Sequence, residues 1–378
     1  MNLSSTLFSE FPAVSKEEWL EKIKQDLKSK AIEELHWSLD GLDGIKADPF
    51  AHADDHKKRQ PVPFRLTSDW EIGEDFEGHD LVSANRQALQ SLGFGLESPR
   101  FLLDENLGDH RMETLLEGID LGIVSTHFYE KNKNAQPKHI LDHFIHTAKK
   151  YGSYTKQLRG SVNWWNEDAV VLEDALELVE LAENKLPNFK VLPVNAHDFF
   201  DGPEGAVQEL ANTVFKAEMW LSALAGKQIS PAITNRYVFF SLAVGTNYFV
   251  EIAKLRALRL LWANVMHAWG VGEWQMPYLD AHFALGDQLE DAHQNMIRAT
   301  TQAMSAVIGG ADRLTVLPSD DFTAQSSGFA RRVARNVQHI LKMESHLDWV
   351  ADPVAGSYFV EDLTVKLAGA AWKEFQKM

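Results

Sequence analysis

The 378-residue chain reads as an α/β protein, a (β/α)8 barrel with an N-terminal helical arm and a C-terminal helix. Three observations lead there. From about Pro63 onward, short runs rich in β-branched and aromatic residues alternate with amphipathic stretches of helical length, the pattern of βα units in a parallel sheet. About eight such runs fall within roughly 280 residues, the count and size of a TIM-type barrel. No Gly-x-Gly-x-x-Gly follows the first run, which lowers the dinucleotide-binding form of the open doubly wound sheet, the rival on pattern alone.

Residues 1–60 read as an arm. Ser15-x-x-Glu18 forms a capping box that opens a helix from Lys16 to about Lys30, and Trp19, Leu20, Ile23 and Leu27 give that helix a narrow apolar stripe. The following DGLDGIKADPFAHADDHKKRQPVP is rich in Gly, Asp and Pro and irregular. A helix and an arm without a core of their own are more easily explained by packing on another surface. The barrel is expected over 61–350. Its strands are FRLTSDWEI, SPRFLLD, LGIVSTHFYE, SYTKQLRGSV, FKVLPVNAH, RYVFFSLAVG, PYLDAHFAL and RLTVLP. Its helices include LVSANRQALQSL, LDHFIHTAKKY, EDAVVLEDALELVELAENK, GAVQELANTVFKAEMWLSAL, NYFVEIAKLRALRLLWANVMHAW and DAHQNMIRATTQAMSAVI. Residues 351–378 hold a turn, DPVAGSYFVEDLT, built on Pro353 and Gly356, and then a helix.

Composition narrows the function classes. Hydrophobic residues make up 45% and charged residues 24% of the chain, as in a globular protein. No window approaches the roughly 18 uninterrupted apolar residues of a membrane span, and the N-terminus lacks a secretory signal pattern. The absence of cysteine removes disulfides, thiolate metal sites and a Cys nucleophile, and suits the cytoplasm. A net charge of −17 argues against nucleic acid as a partner, since that needs a basic surface. It leaves open an anionic metabolite in a locally basic pocket.

In a barrel the site forms at the C-terminal ends of the strands. That singles out Asn163, Asn195, His197, Asp280 and His282. Each reads either as a hydrogen-bonded rim residue or as a ligand or acid/base group. The fifteen histidines show no HExxH or similar spacing, so no metal site is expected. In FVEIAKLRALRLLWA, the cations Lys254, Arg256 and Arg259 read either as a solvated or ion-paired set or, for Arg256, as a side chain gripping a phosphate or carboxylate. Glu251 lies five residues before Arg256 and offers it no i,i+4 partner. No Ser-His-Asp arrangement, phosphate-binding loop or spaced carboxylate pair is present.

Three long runs add a resemblance. FVEIAKLRALRLLWA, IRATTQAMSAVIGGADRLTVLP and FARRVARNVQHILKMESHLDWVADPVAGSYFVEDLT resemble the barrel of the adenosylcobalamin-dependent acyl-CoA mutases, the methylmalonyl-CoA mutase family above all, over about Leu192 to Met378. In that family the DP-x-x-GSY-x-VE turn leads from the barrel towards a cobalamin domain. The start, LFSEFPAVSKEEWLEKIKQDL, is similar to the arm of the small (beta) subunit, which wraps a catalytic large subunit. Where the catalytic chain has a Tyr-His pair, this one has VLPVNAHDFFDG, with Ala196-His197 or His197-Asp198 opposite. LTSDWEIGEDF stands in place of a Met-Tyr-Arg-Pro-Trp run, SVNWWNEDA in place of Val-Arg-Asn-Thr-Tyr, and no Asp-x-His-x-x-Gly loop occurs. The chain reads as ending before the cobalamin domain.

The resemblance therefore implies a non-catalytic small subunit, inactive alone, in a heterodimer of propionate metabolism. The complex would interconvert methylmalonyl-CoA and succinyl-CoA, with adenosylcobalamin and the acyl-CoA on the partner chain and no cofactor, nucleic acid or membrane for this one. It implies no catalytic residue here. Arg256, His282, His197 and Asn195 are the positions that would line a substrate pocket if one survives, although Ala284 stands where the family has glutamine. Two alternatives stay open: the barrel half of a split acyl-CoA mutase with its cobalamin domain on another polypeptide, and a stand-alone CoA-ester binder.

Overall fold

The computed structural model describes residues 11–28, 30–38, 45–56, 64–65, 67–131, 136–164, 172–273, 276–321 and 326–378. The LFSE start, DGLDG, KKRQPVP and NEDAVV lie outside these residues.

The barrel strands are β1 (Glu71–Glu77), β2 (Ser98–Leu103), β3 (Thr126–Glu130), β4 (Gly160–Asn163), β5, β6 (Val238–Val244), β7 (Tyr278–Phe283) and β8 (Arg313–Thr315). Strand β5 is two segments, Phe189–Lys190 and Leu192–Asn195, on either side of Val191. The first pairs with β4 and the second with β6, so the strand changes partner at Val191 and the ring closes through it. All neighbouring pairs are parallel, and β8 returns to β1. Parallel strands covered by helices are buried on both faces, which is why VFFSLAV in β6 is buried at every position.

The expected first strand, FRLTSDWEI, begins too early: the observed β1 is the acidic run EIGEDFE. Its carboxylates are tolerated because each faces a cation or donor. Glu74 points outward to Arg331 (2.7 Å) and Arg335 (2.8 Å), and Asp75 points inward to Arg100. Between the strands and the helical layer runs a chain of phenylalanines, Phe76, Phe101, Phe128 and Phe189 from strands and Phe144 from the helix Pro137–Lys150, with successive centroids 5.3–6.3 Å apart. Burial of such rings against the helical layer supplies the apolar part of the core.

Eleven helices are described: α1 (Lys16–Leu27), α2 (Leu81–Leu92), α3 (Asp109–Leu116), α4 (Pro137–Lys150), α5 (Leu172–Lys185), α6 (Ala206–Ala225), α7 (Pro231–Tyr237), α8 (Tyr248–Ala268), α9 (Ala292–Gly309), α10 (Gly328–His339) and α11 (Tyr358–Phe375). Side-chain caps start many of them, Asp80 before α2, Ser230 with Pro231 before α7, Asn247 before α8 and Ser327 before α10. Helix α11 packs across α8 and α6, and its Leu363, Leu367, Ala368 and Ala371 join the barrel's apolar core. Being covered by both barrel and α11, α8 has no exposed residue between Val250 and Trp262, and its three cations are buried.

In the arm, the Ser15 box forms as the pattern requires: Glu18 N–H donates to Ser15 Oγ (3.2 Å) and Ser15 N–H to Glu18 Oε2 (2.9 Å). Helix α1 has no buried residue; Trp19, Leu20, Ile23 and Leu27 are half-buried. It rests on its own arm, Trp19 edge-on to Phe50 at 5.8 Å and Lys16 between Asp48 (3.1 Å) and Asp55 (2.7 Å). Ile45 anchors the arm in the core, and Lys366 of α11 donates to the Lys46 carbonyl (2.8 Å).

Candidate functional site

The C-terminal ends of the strands surround a cavity of about 680 Å³. Two of the four residues that the resemblance implies for a pocket, His197 and His282, line it. His197 follows β5 and His282 lies in β7, with rings 5.0 Å apart at 68°. Each imidazole Nδ1 faces a backbone carbonyl, His197 that of Ser241 (3.3 Å) and His282 that of Phe283 (3.2 Å). Asn195 ends β5 beneath them and donates to the Trp164 carbonyl at 3.4 Å. Burial lowers the pKa of both histidines, and the neighbouring His197 and Arg100 push His282 further, to about 3. Neutral at any physiological pH, His282 offers a weak hydrogen-bonding face rather than a charge. Tyr129, on β3, stands 6.3 Å from His197.

Arg256 is not at this mouth. Its guanidinium is buried in the seam between α8 and α11, where it donates to both oxygens of Asp352 (2.5 and 2.6 Å) and to Glu361 (2.7 Å). Those two acids belong to the DPVAGSYFVE turn, so Arg256 clamps the turn and the start of α11 onto α8. Lys254 and Arg259 are likewise held: Lys254 between Glu209 (3.0 Å) and Glu251 (2.9 Å), and Arg259 on Asp312 (3.0 Å).

Below the histidines, four charged side chains from the adjacent strands β7, β8, β1 and β2 meet inside the barrel. Arg100 on β2 makes a two-pronged contact with Asp75 on β1 (2.9 and 2.7 Å) and donates to Asp280 on β7 (3.0 Å). Arg313 on β8 donates to the other oxygen of Asp280 (2.8 Å), to Thr315 (2.9 Å) and to Ser98 (2.9 Å), and lies 3.8 Å from Asp75. The set is two guanidiniums and two carboxylates, neutral in sum. Gly73 makes room for it, since a Cβ there would stand 2.8 Å from the Arg313 guanidinium. Burial raises the Asp280 carboxyl, but Arg313 and Arg100 outweigh it and hold the group well below the carboxylate range. Such charges stay buried because each has its opposite within hydrogen-bonding distance.

Further in, neither polar atom of the Asn163 side chain nor the Oδ1 of Asn195 has a hydrogen-bonding partner among the described residues. At the rim, the lining cations are taken by carboxylates: Lys131 by Glu77 (2.6 Å) and Arg331 by Glu74. Glu77, His79 and Asp104 could converge on a metal ion, but they are exposed and Lys131 already supplies positive charge there. The arrangement can hydrogen-bond a small polar group at the two histidines. Among the described residues, each arginine and lysine lining the mouth is already paired with a carboxylate. The sequence reading missed Arg100, Asp75 and Arg313; the available signal was a lone charge inside an otherwise apolar strand, as in SPRFLL. No described helix is long and apolar enough to cross a membrane.

Against this geometry stand the relatives. A family model described as methylmalonyl-CoA mutase matches residues 108–378. The methylmalonyl-CoA mutase small subunit of Porphyromonas gingivalis is 33% identical, covering 98% of this chain and 63% of that protein. The small subunit of Streptomyces virginiae is 29% identical over 99% of this chain and 65% of that protein. The probable small subunit of Mycobacterium bovis is 39% identical over half of this chain. The chain thus spans somewhat less than two thirds of the length of the curated relatives that it matches end to end. On the strength of these matches over most of its length, the chain belongs to the methylmalonyl-CoA mutase family.

Proposed function

We propose that this chain serves as the small, non-catalytic subunit of a methylmalonyl-CoA mutase, a scaffold that clasps and stabilises a catalytic large subunit. The observation that carries the proposal is a self-paired charge cluster inside the barrel. Where a mutase barrel must bury and orient a substrate, Asp75, Arg100, Asp280 and Arg313 are engaged with one another. Similarity to proteins named small subunit along nearly the whole chain supports the same reading.

Adenosylcobalamin, held by the partner, would supply a carbon radical when its cobalt–carbon bond breaks. The residues present here do not suit that work. Among the described residues the mouth has no unpaired arginine for a substrate carboxylate. No chemical step is assigned to this chain. His197, His282 and Asn195 are proposed as the polar lining of a residual pocket, and Arg256 as the clamp of α11. The arm, whose helix α1 keeps its apolar stripe half-exposed, is proposed to pack on the large subunit.

The test mixes the purified chain with a cobalamin-binding large subunit of the family. Expected are a stable 1:1 complex on gel filtration, turnover of methylmalonyl-CoA by the complex, and none by this chain given adenosylcobalamin and thioester. Turnover by this chain with an isolated cobalamin-domain protein would instead establish the split-enzyme reading.

A further inference from the structure

The opposite, N-terminal mouth of the barrel differs in charge. A cavity of about 460 Å³ opens there, among the first residues of β1, β4 and β7 and the segments leading into β3, β5 and β6. Its lining carries three cations, Arg159, Lys190 and Arg236, and one carboxylate, Glu71. This is a local excess of positive charge on a chain of net −17.

The carboxylate is already engaged. Glu71 accepts from the Tyr278 hydroxyl (3.0 Å) and faces His127 at 3.6 Å. Arg236 pairs with Glu183 (2.8 Å). Among the described residues, the other two cations make no ion pair with a carboxylate. Lys190, on β5 opposite Ser161, sends its ammonium to the Arg236 backbone carbonyl (2.5 Å), and Arg159 donates to the Ile123 carbonyl (2.7 Å). Burial lowers the Lys190 ammonium to about 8, against a smaller opposing pull from the Asp312 charge. Gly160 shapes the wall between them: its φ is +143°, and a Cβ there would collide with the Thr126 carbonyl. Ser125 and Asn188 add neutral hydrogen-bonding groups to the same lining.

We propose that the N-terminal mouth binds a phosphate-bearing anion, either inorganic phosphate or the phosphate monoester of a small metabolite, with Lys190 at its floor and Arg159 at its rim. Two cations that make no ion pair with a carboxylate among the described residues, directed into one concave site, match the charge of a phosphate, and the cavity has room for a small group attached to it. The proposal does not rest on the subunit role and would hold for the chain alone.

Calorimetry on the whole chain, with inorganic phosphate and glycerol 3-phosphate as probes at constant ionic strength, tests it. Expected is saturable one-site binding that Lys190→Met weakens by about tenfold and Arg159→Ala by about threefold, while Arg111→Ala, remote from the cavity, leaves it unchanged. Equal affinity for the two probes identifies a free-anion site, and tighter binding of the ester a metabolite site. No saturation up to about 50 mM, far weaker than a functional small-anion site, overturns the proposal. So does unaltered binding in both variants. Should circular dichroism show Lys190→Met to be unfolded, Arg159→Ala, an exposed side chain, decides alone.

Discussion

Glu130 sits at the end of β3, 3% exposed, and neither of its carboxylate oxygens makes a hydrogen bond of normal geometry among the described residues. Burial pushes its carboxyl from 4.5 up to about 7, with slight relief from the Gln136 backbone amide. Between those two values the folded chain holds a proton that the unfolded chain has released, so stability falls as pH rises through that window and the contribution is gone above about 7. Glu130→Gln should therefore match the parent near pH 5 and exceed it by on the order of 2 kcal/mol at pH 8, measured by urea denaturation. Glu209, also raised to about 7 by burial, titrates in both proteins and cancels from the difference. Equal stabilities at pH 8 would mean that the carboxylate is solvated after all. At this scale, the strand-end rule located His197 and His282 at one mouth, with Asn195 beneath them. It had no means of placing Arg256, whose partners lie 96 and 105 residues away in sequence. A local charge pattern reports neighbours one helical turn apart and nothing more distant.

Among the elements, α11 shows what that clamp does. Two acids at the head of one helix meet a single buried guanidinium on another, and four apolar side chains of α11 complete the seam. Arg256→Ala would leave Asp352 and Glu361 in a half-buried seam without their cation, at a cost of about 3 kcal/mol. Amide exchange along Tyr358–Phe375 should quicken accordingly, while β2 to β4, which α11 does not touch, keep their rates. Unchanged exchange in α11 would show that apolar packing alone seats it. Most helices and strands were legible because amphipathic period and burial agree in them, and the arm helix because its capping box is local. Strand β1 was not, because EIGEDFE carries four acids whose partners are distant in sequence: arginines of β2, β8 and α10 for Asp75 and Glu74, Tyr278 and His127 for Glu71, and Lys131 for Glu77. Helix α3 was also missed; its DHRMETLL begins behind Gly108 without a side-chain cap.

For the whole molecule, the four clustered charges join β1, β2, β7 and β8 into one cooperative unit. Asp280→Ala would leave Arg100 and Arg313 sharing the single carboxylate of Asp75, so its effect should be global: a loss of about 4 kcal/mol in denaturant midpoint analysis, with every strand reporting the same transition. A local loss confined to β7 would refute this coupling. Since a fold of this kind is stabilised by only about 5–15 kcal/mol, that loss is a large share of the total. The same arithmetic constrains how the protein could change over generations. A first substitution that removes any one of the four leaves an uncompensated charge and a damaged protein, so the cluster cannot be dismantled one tolerated step at a time. Compensated double replacements would be needed, so the charge cluster acts as a ratchet against its own loss.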